Sequence, residues 1–230
     1  MLTHALDRAA TLCEAIATLD FGPAGSACYV VPFSRVRHLS ERLACGACFA
    51  WTSITLDLTL QPWLESVGEW RGRGFATIVR DDVLRTAADI LDVVLHELAH
   101  GIEHASAPAA SMQLADLPAM LRMPVAELPA EWAGTIQSEP AQGKPWAKHG
   151  HRFIRAAAHV CWRARSQGYV TTLKNMHVAG TGYGVSPARS YELALGDEPR
   201  DCENESIGEV LKRSAPLPFQ QLWTKDTGEA

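Results

Sequence analysis

The 230-residue sequence predicts an α+β fold: a small mixed sheet packed against one long amphipathic helix, with additional helices toward the C-terminus. Three observations carry this. Ser53–Leu60 alternates strictly, with Ile54, Leu56, Leu58 and Leu60 on one side, and Phe75–Val79 is a second β-type run. Apolar residues then recur at helical spacing from Thr86 to about His104. Helix-start signals follow at Ser186–Pro187 and at Ser206 with Glu209.

Each element has its own signal. From Met1 to Gly22, Leu2, Leu6, Ala9, Leu12, Cys13 and Ile16 recur at helical spacing, which predicts a packed helix. Asp7, Arg8 and Glu14 interrupt that stretch, so it lacks the plain apolar core of a signal peptide. Ala27–Pro32 reads as a short strand and Ser34–Ala44 as a helix. Phe75–Val79 is entered through a turn at Gly72–Gly74 and ended by Asp81 and Asp82. Thr86 and Asp89 have capping-box spacing for the long helix.

Residues 105–148 hold six of the thirteen prolines, an excursion of the length that goes with functional lids. Gly150–Arg165 predicts a helix stopped near Gly168, burying Phe153, Ile154, Ala157, Cys161 and Trp162. Residues 181–230 form a C-terminal helical extension. The length suits one domain spanning 1–230.

Composition narrows the function. Apolar residues make up 47% and charged residues 20%, the profile of a globular chain. A net charge of -5 argues against a dominant nucleic-acid-binding face. No segment approaches the roughly 18 apolar residues that span a bilayer. The expected location is therefore cytoplasmic, with the six cysteines as reduced thiols. Cys45 and Cys48 form a lone C-x-x-C with no second pair to complete a zinc ribbon, and are expected to be buried thiols.

The chemistry lies in His96-Glu97-Leu98-Ala99-His100, an H-E-x-x-H motif. Composition alone would give about 0.02 such matches in a chain of this kind. Histidines four apart stand on one helix face, so both imidazoles reach a single zinc ion. Glu97 is rotated to the flank of that face, where it can take a proton from zinc-bound water. The apolar residues Leu91, Val94, Leu95, Leu98 and Ile102 lie nearly opposite the histidines, so the helix is expected to bury one side and present the other to a cleft.

A catalytic zinc ordinarily has three protein ligands. His104 lies two helical turns from His96, too far to share the ion, and Glu103 stands where an H-x-x-G-x-x-H continuation requires glycine. His149 is the favoured third ligand, with His151, Glu127 and Glu131 as alternatives. Asp89 and Asp92 lie on the histidine side as candidate partners for the ligands, though solvated surface acids are the plainer reading. Tyr183 or His177 is a candidate oxyanion donor.

His96, Glu97 and His100, followed by His149, Gly150 and Phe153 as H-G-x-x-F, resemble the SprT-like zinc metallopeptidases over about residues 54–165. The resemblance implies a zincin-like fold with Phe75–Val79 as the edge strand lining the cleft. It also implies Zn2+ held by His96, His100 and His149, Glu97 as the catalytic base, and a peptide or protein substrate. The sequence departs from some members in lacking a four-cysteine ribbon, so their DNA-repair roles are not carried over. The alternatives are a zinc amidase acting on a non-peptide substrate, and a non-catalytic interaction protein stapled by zinc.

Overall fold

The structure is a computed structural model. It describes residues 2–39, 48–51, 60–72, 74–79, 86–106, 149–176 and 188–228. The described chain is mixed helix and strand, mostly helical. Helix α1 is Leu2–Phe21, and a 3-10 turn at Pro23–Gly25 leads into strand β1, Ala27–Pro32. A one-turn helix α2 (Phe33–Val36), strand β2 (Cys48–Trp51) and helix α3 (Gln61–Ser66) precede strand β3, Gly74–Val79. The long helix α4 is Ala87–Ser106 and α5 is His151–Ser166. After a helical turn at 173–176, the shorter helices α6 (Ala188–Leu195), α7 (Glu198–Asp201), α8 (Ile207–Lys212) and α9 (Leu217–Thr227) follow.

The three described strands are ordered β1-β3-β2, with β1 parallel and β2 antiparallel to β3. Ala27 pairs with Gly74 and Pro32 with Val79 on one side; Cys48 pairs with Val79 on the other. The expected edge strand is therefore the middle strand of the described sheet. Its composition explains this: all six residues of β3 are buried, as in a strand covered on both faces, where no apolar–polar alternation survives.

One side of α1 supplies Leu6, Ala9, Leu12, Cys13, Ile16 and Ala17 to the main core, the face its spacing predicts. That core joins α1, β3, α4 and α5. A second cluster, with Tyr29, Val31, Phe33, Leu60, Leu64 and Ile78, fills the space between the sheet and α2 and α3. Helix α4 meets β3 closely at Gly101, where an added Cβ would lie 2.6 Å from Phe75 Cδ1. A methyl group there would force the ring aside.

Several expectations change. The helix expected over 34–44 ends at Val36, because the Leu39 N–H bonds the Val36 carbonyl at 2.9 Å and closes a tighter turn. Residues 40–44 and the expected strand 53–59 lie outside the described residues, and Leu60 is the N-cap of α3. Trp162 is only half-buried on α5, and the buried set includes Arg155, His159 and Arg163 in addition to the apolar residues. Among the described residues, 188–228 hold four helices where two were expected near the C-terminus. The excursion at 107–148 lies outside the described residues.

Candidate metal centre

Helix α4 is a central element. Its residues from Val93 to Ala99 are all buried and His100 is half-buried, so the histidine side is packed at His96. What covers it is the start of α5. His96 and His100 stand one turn apart on α4, with ring centroids 4.9 Å apart and planes at 77°. His149 immediately precedes Gly150, the N-cap of α5, and brings its ring to 5.0 Å from His96 and 4.9 Å from His100.

His149 Nε2 stands 3.3 Å from His96 Nε2 across 53 positions of sequence. One ligand atom from each of the three histidines lies within 4.8 Å of the others, the only group of three or more possible ligands among the described residues. For nitrogen ligands at 2.0–2.1 Å, the edge of a tetrahedron is about 3.3 Å, so the His96–His149 spacing already suits a shared ion. Three imidazoles are also a donor set suited to zinc. His96 is 2% exposed and His149 7%, while His100 is half-buried.

Phe153 closes the site from below. Its ring stacks on His100 at 4.0 Å and lies 4.4 Å from His149 and 5.0 Å from His96. The downstream histidine and phenylalanine thus act together: one supplies a nitrogen while the other fills the space behind all three rings. Glu97 follows His96 by about 100° around α4 and is 6% exposed.

Glu103, on the same helix, is half-buried. Burial pushes its carboxyl above the usual carboxylate value, while Arg152 and the Phe153 N–H pull it back down.

The other candidates fall as follows. His151 is exposed and turns its ring to Trp223, 5.8 Å away, so the structure does not bring it to the histidine cluster. Asp92 is half-buried and accepts from Thr171 Oγ1 at 2.5 Å, tying α4 to the segment after α5. Glu127, Glu131, His177 and Tyr183 lie outside the described residues, as do Cys45 and the side chains of Cys48, Asp89 and His104. No helix is long and apolar enough to cross a membrane among the described residues. Compared with protein-family models, curated proteins and solved structures, the chain matches none.

Proposed function

We propose that the chain is a zinc-dependent hydrolase of the metallopeptidase type, similar to the SprT-like enzymes, with His96, His100 and His149 as the metal ligands. The observation that carries this reading is the approach of His149 Nε2 to 3.3 Å from His96 Nε2, beside a second histidine one turn along and next to a buried glutamate. When bound, zinc supplies Lewis acidity to a carbonyl and lowers the pKa of water toward neutrality.

The remaining work falls to the chain. The three imidazoles are held in place by Phe153, so little side-chain freedom is lost when they take up the ion. Glu97, on the flank of the ligand face, accepts the proton of the attacking water and returns it to the departing amine nitrogen. Its burial keeps bulk water from competing for that proton. The zincin-like arrangement and the peptide or protein substrate belong to the same proposal.

One observation favours a second reading, a metal that only staples α4 to α5: His96 and His149 are nearly fully buried. A staple has no need of Glu97, so one substitution separates the two. Purified without chelator, the chain should carry about one zinc. Glu97→Gln should keep that zinc while hydrolysis of a quenched-fluorescent protein substrate falls by about 10²–10⁴-fold. Loss of zinc in the variant would make Glu97 a ligand, and undiminished hydrolysis would remove it from the mechanism.

A further inference from the structure

Helix α8 has six residues, and a helix that short leaves most of its backbone groups without partners inside itself. Both of its ends are taken by side chains from other elements. At the start, the Ile207 N–H donates to the Asp20 carboxylate of α1, which also pairs with Arg163 of α5 at 2.7 Å. At the end, Arg155 of α5 donates to the Val210 carbonyl at 3.1 Å and to the carbonyl of Arg213, the C-cap, at 3.0 Å. The same guanidinium pairs with Glu198 of α7 and is 2% exposed. Between the two ends, Ile207 and Leu211 enter the core that Leu98, Ala99 and Ile102 of α4 share with Phe153 and Ile154 of α5.

We propose that Arg155 is a positioning residue of the metal centre: by anchoring α8 across α4 and α5, it holds the docking of those helices that brings His149 beside His96. The inference rests on the metal reading above. His96 and His100 stand on α4 and His149 just ahead of α5, so their nitrogens converge only while the two helices keep their packing. Helix α8 packs on both. Arg155 is two residues after Phe153, and Arg152, three residues before Arg155, brings its Nη1 to 3.5 Å from the Leu211 carbonyl. The anchor therefore grips α5 at its N-terminal end, the end that carries the third ligand. A guanidinium suits this place, because its planar fork serves two carbonyls and a carboxylate together, whereas an ammonium is a compact point charge.

Five chains are compared in metal-free form: wild type, Arg155→Met, Arg155→Lys, Arg155→Met with Glu198→Gln, and Leu64→Val. The last loosens the second hydrophobic cluster, between the sheet and α3. Zinc affinity is read by competition with a chromophoric chelator, cobalt coordination by visible absorption, and stability by urea unfolding without metal. Arg155→Met should lose at least about 10-fold in zinc affinity, the size of effect seen on removing residues that support ligands, with an altered cobalt spectrum. The double variant removes the charge that Arg155→Met leaves without its partner, so it should regain stability over the single variant. Its zinc affinity should stay low, because the Val210 and Arg213 carbonyls still lack the Arg155 donor. Leu64→Val should lose stability and keep the wild-type affinity and spectrum.

An affinity that returns with stability in the double variant would reduce Arg155 to charge compensation and overturn the proposal. A loss of affinity in Leu64→Val as large as that in Arg155→Met would also overturn it, since zinc binding would then follow stability wherever the core is loosened. If Arg155→Met does not fold, Arg155→Lys decides: it keeps a charge for Glu198 and loses the fork, so wild-type affinity there overturns the anchoring role. A wild-type chain that takes up neither metal overturns the metal reading and this inference together. A wild type that binds beside an unaffected Arg155→Met overturns this inference alone.

Discussion

His149 and His151 are two residues apart and meet different surroundings. His149 is buried among His96, His100 and Phe153, whereas His151 is exposed against Trp223. The cause is the start of α5: His149 precedes the N-cap, Gly150, whereas His151 is already the first helical residue. His149→Ala should therefore lower zinc affinity by orders of magnitude, while His151→Ala and Glu127→Ala leave it near wild type, as measured by chelator competition. The reverse ranking would make the cluster in the structure a coincidence of packing. At this scale the two α4 histidines were legible because four-residue spacing on a helix fixes their relation without tertiary information. The choice of His149 needed a resemblance, since spacing alone does not say which histidine a distant helix will bring home.

Helix α5 shows what an element-level reading sees and misses. Its extent and the core role of Phe153, Ile154, Ala157 and Cys161 follow from apolar periodicity. Its second face does not. Arg155, His159 and Arg163, at four-residue spacing, are each 1–2% exposed and run as a polar stripe beneath the C-terminal segment. Arg155 pairs with Glu198 and donates to the carbonyls of Val210 and Arg213. Arg163 pairs with Asp20 at 2.7 Å and donates to the Glu205 carbonyl. Those partners lie 42 to 143 positions away, so nothing local in the sequence marks the arginines as buried. By contrast α9 was missed although its signals are local: Pro216 and Pro218 open it, and Gly228, at φ 76°, ends it.

The stripe predicts a pH effect. Burial first, then the neighbouring guanidinium groups of Arg163 and Arg155, push His159 down to about 3, with only the Pro199 backbone acting the other way. The folded chain therefore keeps this ring neutral to about pH 3, while the unfolded chain protonates it below about 6.5. Stability contributed by the neutral ring is present above about 6.5 and lost as pH falls toward 3. His159→Gln, close in size and unable to ionise in this range, should flatten the difference in urea midpoint between pH 7 and pH 4 relative to wild type, with chelator present in both. An unchanged difference would mean that His159 carries its proton in the folded chain.

On the scale of the whole molecule, the proposed metal centre joins the two helices around which the main core is built. Helix α4 packs on β3, α1 and α5, and α8 packs against both α4 and α5. An ion held by His96, His100 and His149 exists only when α4 and α5 are docked, so it binds the folded chain and not the unfolded one. At free zinc about a hundredfold above Kd, that linkage adds about 2.7 kcal/mol. For a chain of this length each kcal/mol moves Tm by about 2–4 °C, so saturation should raise the midpoint by about 5–10 °C. The rise should persist in Glu97→Gln, whose ligands are intact, and vanish in His149→Ala, whose site is open on the α5 side. A scanning-calorimetry series over zinc concentration measures all three. An equal rise in His149→Ala would locate the stabilising ion away from this junction. The absence of a rise in wild type would mean that the three imidazoles, though gathered by the fold, are held together by Phe153 and the surrounding core alone.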